Sequence, residues 1–136
     1  MTMAGNLSVF DIAGRAMSAQ MVRLNTSASN LANAGSVASS KAEAFRAIKP
    51  VFSSVTDAPG VATVKVDQVV ASNIEPTKRY DPNHPKADKD GNVWEAGVDQ
   101  AQELVEMMET ARQYQNNVQV MQTAKTLTLD TLRLGK

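Results

Sequence analysis

Both ends of this 136-residue chain carry a long run of apolar and small residues with helical spacing. The steps within each run, as far as Leu127 in the second, are three or four residues, as in the heptad pattern of helices that pack along a narrow stripe. The N-terminal stripe is Phe10, Gly14, Met17, Met21, Leu24, Ala28 and Leu31, and the C-terminal stripe is Leu104, Met107, Ala111, Tyr114, Val118, Met121 and Ala124, continuing to Leu127 and Leu132. The spacing predicts helices over residues 8–33 and 99–133, whose stripes can pair antiparallel.

Capping residues mark the ends of both predicted helices. Ser8 followed by Asp11 has the spacing of a capping box, and Asp99 is an N-cap residue for the second helix. Asn33 and Gly35 tolerate the left-handed backbone conformation in which many helices end. We therefore expect the first helix to stop near residue 33 with a left-handed cap.

The segment between the two helices contains turn and strand patterns. Ser40 and Glu43 repeat the capping-box spacing and predict a short helix that ends before Pro50. "DAPG" at 57–60 is a turn, and "VATVKVDQVVAS" at 61–72 alternates like a strand, one arm of a hairpin or of a three-stranded patch.

The sequence predicts a fold that is mainly α with a small β portion. Residues 75–97 are rich in Pro, Asp and Gly, as loops are, with "NVW" as a short return strand. Residues 1–35 and 98–136 are expected to form a discontinuous helical core, in which the N- and C-terminal helices pair as an antiparallel coiled coil. Residues 36–97 are expected to form a small β-containing middle domain.

Composition and charge exclude several classes of function. Lys and Arg together number 14, as do Asp and Glu, and like charges do not occur in blocks, so neither nucleic acid nor an anionic membrane is an expected partner. The absence of cysteine excludes disulfides and thiolate sites. The N-terminus lacks the pattern of a secretory signal, and no stretch is apolar enough to span a bilayer. If the chain is exported, we expect a route without a cleaved Sec-type signal.

The sequence offers little support for catalysis or metal binding. His84 lies near Asp88 and Asp90 and could ligate a metal, but its proline-rich context favours a turn. A calcium loop fails in register, because Lys86 and Gly97 stand where carboxylates are required. Phosphate-binding glycine loops and a nucleophile elbow are absent. We therefore predict no catalytic residue, no cofactor and no metal, and a protein that is not an enzyme.

The outer faces of the predicted helices indicate contacts with other chains. Asp11, Arg15 and Arg23 are the only charged residues among the first 40, whereas a surface helix is ordinarily charged on its outer side. The second helix has an outer face that begins acidic, with Glu103, Glu106 and Glu109. Methionines on or beside both stripes suit either a core or an adaptable interface.

Three asparagines in the first helix, Asn25, Asn30 and Asn33, are unfavourable in a helix interior. We expect Asn30 and Asn33 to hydrogen-bond to backbone groups, either at the helix end or between subunits. The predicted assembly surface comprises Phe10, Met17, Met21, Leu24, Asn25, Ala28, Asn30, Leu31, Asn33, Leu104, Met107, Met108, Ala111, Tyr114, Val118, Met121, Leu127 and Leu132.

Three segments resemble a known family. "NTSASNLANAGSVASS" (25–40) is similar to the N-terminal motif of bacterial flagellar axial proteins, and residues 103–135 are similar to their C-terminal helix. "YDPNHPKADKDGNV" (80–93) resembles the central motif of the proximal rod branch of the flagellar basal-body rod protein family. Residues 35–40 lack the Thr-Pro-Gly-Tyr-like turn of many axial proteins, which also favours the proximal rod branch.

The resemblance implies a structural subunit of the proximal rod. Its terminal helices would pack helically around a central channel and form the wall of a drive shaft through which other subunits are exported. The implied partners are copies of itself, other rod proteins, the flagellar type III export apparatus and surrounding ring proteins, and the implied location is the periplasmic part of the basal body. Isolated terminal segments are expected to be largely disordered and to fold on assembly.

Two alternatives remain open from the residues alone. A cytosolic helical adaptor or export chaperone of the flagellar system would use the same stripes for a different partner, as a folded monomer or dimer. A peptidoglycan hydrolase would need paired acids in a cleft, for which the short, turn-rich middle segment is poorly suited.

Overall fold

The computed structural model describes residues 8–135, which form two long helices and a small β portion. This confirms the predicted class, mainly α with some β. None of the described helices is both long and apolar enough to cross a membrane. In chain order the elements are α1 (Val9–Asn33), β1 (Val37–Ala38), β2 (Ile48–Ala58), β3 (Val61–Ala71), β4 (Thr77–Tyr80), β5 (Asn92–Glu95) and α2 (Gln100–Leu134).

Both helices begin at the predicted residues because side chains bind the free N–H groups of the first turn. The Ser8 hydroxyl accepts from the Asp11 N–H at 3.2 Å, while the Ser8 N–H donates to the Asp11 carboxylate at 2.9 Å, so the capping box is complete. The Asp99 carboxylate accepts from the Gln102 N–H at 3.1 Å at the start of α2. At 25 and 35 residues, the helices are about 38 Å and about 52 Å long.

The C-terminal end of α1 differs from the prediction in conformation but not in position. The helix ends at Asn33, but Ala34 keeps a right-handed backbone (φ −61°, ψ −30°), and Gly35 is not among the glycines with positive φ. The chain leaves the helix through tighter turns, with the Ala34 N–H bound to the Leu31 carbonyl and the Ser36 N–H bound to the Asn33 carbonyl. A left-handed cap is unnecessary because these bonds satisfy the last carbonyls.

The two helices pack against each other in antiparallel orientation. The Asn30 amide donates to the Glu103 carboxylate at 3.0 Å, and ten residues earlier in α1 the Gln20 amide donates to the Gln113 carbonyl at 2.7 Å. Continuing this register along α1 brings its first residue, Val9, opposite Ala124. The last ten residues of α2 therefore extend past the described part of α1.

The strands β2 and β3 form a long antiparallel hairpin that packs on α1. Its turn lies where "DAPG" predicted it, with Gly60 in the left-handed region at φ 82°. The short helix predicted before Pro50 is wrong. Only one turn forms after Ser40, where the Ala44 N–H binds its carbonyl, and from Ile48 onward the chain pairs with β3. Pairing with β3 provides hydrogen-bond partners for the backbone groups of this segment, whereas a helix that ends at Pro50 could not provide them.

A separate three-stranded antiparallel sheet has the order β1-β5-β4. The return strand predicted at "NVW" is confirmed as β5, whereas β4 forms in a segment that was predicted to be loop. Gly97 follows β5 at a close backbone approach, since a Cβ there would lie 2.5 Å from the Ile74 carbonyl oxygen. Among the described residues, no Cα of this sheet lies within 8 Å of a Cα of either helix.

Candidate assembly surface

The residues that the two helices bury are small or polar. Ala13, Ala19, Thr26, Ser27 and Asn30 are the buried residues of α1. On α2 the buried residues are Glu103 and Thr110, and Thr110 is fully inaccessible. Small side chains let two helix backbones approach closely, and the large apolar residues of both helices are at most half-buried.

A buried hydrogen-bonded junction connects α1, α2 and the hairpin. The Asn30 side chain, 1% exposed, donates through Nδ2 to the Ile48 carbonyl at 2.9 Å and accepts at Oδ1 from the Ile48 N–H at 2.8 Å. The same Nδ2 donates to the Glu103 carboxylate, which is 3% exposed. One amide thus satisfies both backbone groups of a strand residue and a buried carboxylate.

An ion pair extends this junction by one residue along the hairpin. Lys49 Nζ lies 2.8 Å from Glu106 Oε1, and both side chains are largely shielded from solvent. Burial alone would raise the pKa of Glu106, but the hydrogen bond and charge of Lys49, together with a hydrogen bond from Gln102 and the charge of Arg23, outweigh it, so the pKa of Glu106 lies below its ordinary value. Glu106 is therefore held as a carboxylate at neutral pH.

A second polar contact fastens the far half of the hairpin to α1. Arg15 forms an ion pair with Asp57 and donates to the Thr63 hydroxyl at 2.9 Å. Thr63 is the most buried residue of β3, and its hydroxyl donates to the Val55 carbonyl at 3.3 Å. The hairpin thus rests on α1 through polar groups near its turn as well as at its base.

Large apolar side chains lie on the surface of the described chain. In the first half of α2, Leu104, Val105 and Met108 are all more than half exposed, and Met108 is 67% exposed. The base of the hairpin exposes Val51, Phe52, Val69 and Val70. A soluble monomer rarely exposes a contiguous apolar surface unless it binds a partner.

The last turns of α2 are the most exposed apolar part of the described chain. Leu127, Leu132 and Leu134 are 62%, 62% and 88% exposed, and residues 125–135 are all at the surface. The hydroxyls of Thr126, Thr128 and Thr131 donate to carbonyls one turn back in the same helix, at 2.8 to 3.1 Å. These threonines need no water to satisfy their hydroxyls, so this helix end can be covered by protein without leaving donors unpaired.

The predicted assembly residues occupy different environments. Those at the surface are Phe10, Met21, Asn25, Ala28, Leu104, Met108, Leu127 and Leu132. Those half-buried are Met17, Leu24, Leu31, Asn33, Met107, Ala111, Tyr114, Val118 and Met121. The eight surface residues are available to a neighbouring chain without any rearrangement.

Asn30 departs from its predicted place on the assembly surface. Its side chain bonds to backbone as expected, but within the chain, where burial keeps it from a neighbouring subunit. Asn33 donates to the Ser29 carbonyl of its own helix at 2.8 Å. Glu103, predicted on the outer acidic face, is the buried partner of Asn30. Sequence reasoning missed Lys49 as well, because neither periodicity nor capping relates β2 to α2.

The loop around His84 is organised as a turn. The His84 Nδ1 accepts from the Lys86 N–H at 3.0 Å, and the Asn92 N–H donates to the Asp88 carboxylate at 2.8 Å, lowering the pKa of Asp88. Within residues 8–135, His, Asp and Glu do not cluster in threes as a metal site would require. These hydrogen bonds agree with the prediction that the loop around His84 is a turn.

Sequence similarity decides the family. Residues 10–35 match the family model described as flagella basal body rod protein, and residues 89–134 match the one described as flagellar basal body rod FlgEFG protein C-terminal. The chain is 46% identical over 132 residues to the flagellar basal-body rod protein FlgC of Escherichia coli O157:H7, covering 96% of the chain and 98% of that relative. The chain belongs to the FlgC family of flagellar basal-body rod proteins.

Other FlgC proteins are similar over most of their length. FlgC of Salmonella typhimurium strain LT2 is 46% identical over 132 residues, with 96% of the chain and 98% of the relative covered. FlgC of Aquifex aeolicus strain VF5 is 33% identical over 119 residues, with 87% and 88% covered. Membership of the FlgC family makes the chain a structural rod protein, not an enzyme, and sets aside the hydrolase and adaptor alternatives.

Proposed function

We propose that this FlgC-family chain forms part of the wall of the proximal rod by packing its terminal helices against neighbouring subunits. The observation that carries the proposal is the combination of full-length similarity to FlgC proteins with large apolar residues exposed on both helices. A structural subunit needs such surfaces because burial of apolar area drives its association.

The two helices are proposed to wind as an antiparallel coiled coil. The heptad spacing and the antiparallel packing of α1 against α2 support this. Residues 1–35 and 98–136 would then form the helical core, and residues 36–97 the middle domain. The separation of the three-stranded sheet from both helices supports that division, while the packing of the hairpin on α1 joins the two parts.

The proposed partners are copies of this chain, other rod proteins, the flagellar type III export apparatus and, around the rod, ring proteins. We propose that the chain is exported without cleavage and is assembled in the periplasmic space, helically around a central channel. The name shared by its relatives, flagellar basal-body rod protein, supports a location in the rod. No cofactor has a role in this function.

The proposed assembly surface can be tested with one charge at an exposed leucine. Leu132→Asp should leave the chain exported and soluble, because the side chain of Leu132 is 62% exposed, yet it should abolish its incorporation into basal bodies and swimming. Thr77→Asp, which adds the same charge to the exposed strand β4, is the control and should swim. Incorporation is measured by immunoblotting isolated basal bodies. Normal swimming of Leu132→Asp would contradict the proposal.

A further inference from the structure

Within the described chain the two sheets have four edges, and three of them are protected against pairing with a further strand. In the three-stranded sheet, β1 has only two residues, and Lys86 Nζ donates to the Val37 carbonyl of this strand at 3.0 Å. At the opposite edge, β4 has four residues, carries Lys78 and lies between Pro76 and Pro82. Short length, proline and lysine are means by which natural proteins keep a sheet edge from pairing.

The third protected edge is that of β2, which is closed from the side of the helices. Asn30 of α1 binds both the N–H and the carbonyl of Ile48, and Pro50 has no N–H to donate. Antiparallel strands bond to each other through every second residue, so the backbone groups of Ile48 and Pro50 both point away from β3. The first two outward positions of β2 are thus either occupied or without a donor.

The fourth edge, that of β3, is open. β3 has eleven residues and contains no proline. Ala71 and Val69 lie opposite Ile48 and Pro50, so their backbone groups point outward on the other side of the hairpin. Among the described residues, no side chain and no backbone group outside the hairpin forms a hydrogen bond with the backbone of β3. Val69 and Val70 are also 46% and 38% exposed. A long, open and apolar edge is a template for another strand.

The charges of β3 are complementary to those of a second β3 strand. Lys65 and Asp67 are the only charged residues of β3, and they lie on either side of Val66. In an antiparallel pair of β3 strands centred on Val66, Lys65 of each copy lies beside Asp67 of the other. Opposite charges in such cross-strand positions stabilise a sheet, and like charges destabilise it. The edge that would repel many strands therefore matches its own copy.

The backbone of β3 fits the same register. Phe52 follows Pro50 by two residues and points outward on β2, so its partner Val66 points outward on β3. The same alternation makes Val64 an outward residue. The register shift in the hairpin leaves one extra residue in β3, a β-bulge between Val66 and Val69. With Val66 on a two-fold axis and this bulge in both strands, the outward groups of Val64 lie opposite those of Val69 in the second copy.

We propose that two copies of the unassembled chain pair through the outer edges of β3 and form a four-stranded antiparallel sheet around a two-fold axis at Val66. A pair of this kind closes on itself, whereas a helically assembled wall needs contacts between different surfaces of neighbouring subunits. The inference therefore goes beyond the proposed function. The dimer is a state of the chain outside the rod, in which β3 is shielded from other strands, and it separates before incorporation.

Sedimentation equilibrium of the purified full-length chain tests the pairing, because the two charges can be reversed one at a time. The wild-type mass should rise with concentration from 14.6 kDa toward twice that value. Lys65→Asp and Asp67→Lys each place like charges beside one another and should weaken the dimer at least ~10-fold. An equimolar mixture of the two variants should dimerise as the wild type does, since one copy then carries two carboxylates and its partner two ammonium groups.

Recovery in the mixture separates loss of pairing from loss of folding, because two unfolded variants would not restore a dimer to each other. Lys89→Asp, which reverses a charge at an exposed loop residue, is the control and should leave the dimer unchanged. If circular dichroism shows that neither reversal at β3 folds, Val69→Pro decides. It removes an outward N–H, as Pro50 does on β2, and an undiminished dimer in this variant overturns the inference.

Two further results would overturn the pairing of β3 strands. One is a wild-type mass of 14.6 kDa at every concentration, and the other is an association that both charge reversals leave unchanged. Failure of the proposed function is a different result: the wild-type chain would be absent from isolated basal bodies, whatever its mass in solution.

Discussion

The side chain of Asn30 pairs with the backbone of Ile48 as a neighbouring strand residue would. Its Oδ1 accepts from the Ile48 N–H at 2.8 Å and its Nδ2 donates to the Ile48 carbonyl at 2.9 Å, so a helix residue satisfies the first residue of β2. The remaining donor of the same amide reaches Glu103 at 3.0 Å. Only a side chain with both a donor and an acceptor can make this set of contacts.

Asn30→Asp should therefore destabilise the chain strongly. The variant keeps the acceptor for the Ile48 N–H, loses both donated bonds and places a second carboxyl beside the buried Glu103. We expect a loss of about 2–4 kcal/mol in the free energy of unfolding at neutral pH. Urea unfolding followed by circular dichroism measures it. Asn33→Asp is the matched control, with an expected loss below about 1 kcal/mol, and equal losses in the two variants would refute the role of Asn30.

The close approach of the two helices at Thr110 should depend on side-chain size more than on polarity. Thr110 is fully buried, and its hydroxyl donates to the Glu106 carbonyl of its own helix at 2.6 Å. Thr110→Val keeps the shape and should change the free energy of unfolding by less than about 1 kcal/mol, because no partner outside α2 loses a bond. Thr110→Leu should cost about 1–3 kcal/mol by overpacking. Thermal unfolding of both variants checks the order, and a better tolerated leucine would contradict it.

Gly97 should not accept a side chain. A Cβ at Gly97 would lie 2.5 Å from the Ile74 carbonyl oxygen and 3.0 Å from the Pro76 nitrogen, both backbone atoms. Gly97→Ala should therefore cost about 2 kcal/mol or more, since the strand connection has to shift. At Gly35 the space is open, and Gly35→Ala should change stability by less than about 1 kcal/mol. Chemical unfolding of the two alanine variants, run side by side, tests the contrast.

The Lys49–Glu106 pair should make stability depend on pH in the acidic range. Because the pKa of Glu106 is lower in the folded chain than its ordinary value of 4.5, the pair stabilises the fold above that value. This contribution is lost as the pH falls through the folded pKa. Lys49→Met should be less stable than the wild type by about 1 kcal/mol at pH 7. The difference should shrink as the pH falls below 4.5 and through the lower pKa of folded Glu106, and a gap that is independent of pH would argue against the pair.

The sequence predicted the helices well because their signals are local. Ser8, Asp11 and Asp99 mark the helix starts within four residues of chain, and the three- and four-residue apolar steps persist over most of both helices. The short helix before Pro50 failed for the opposite reason. Its capping spacing was local, but β2 forms through pairing with β3, up to 23 residues away along the chain from Ile48 to Ala71.

The sequence by itself determined the two helices, their ends, the turn at Gly60 and the family to which the chain belongs. Only the tertiary structure decided which side chains the helices bury, because a periodic stripe specifies a face and not the partner that covers it. Asn30 and Glu103 are separated by 73 residues, and no local sequence pattern predicts their contact. The fold thus places small and polar residues between its own helices and leaves the leucines of α2 exposed for other chains.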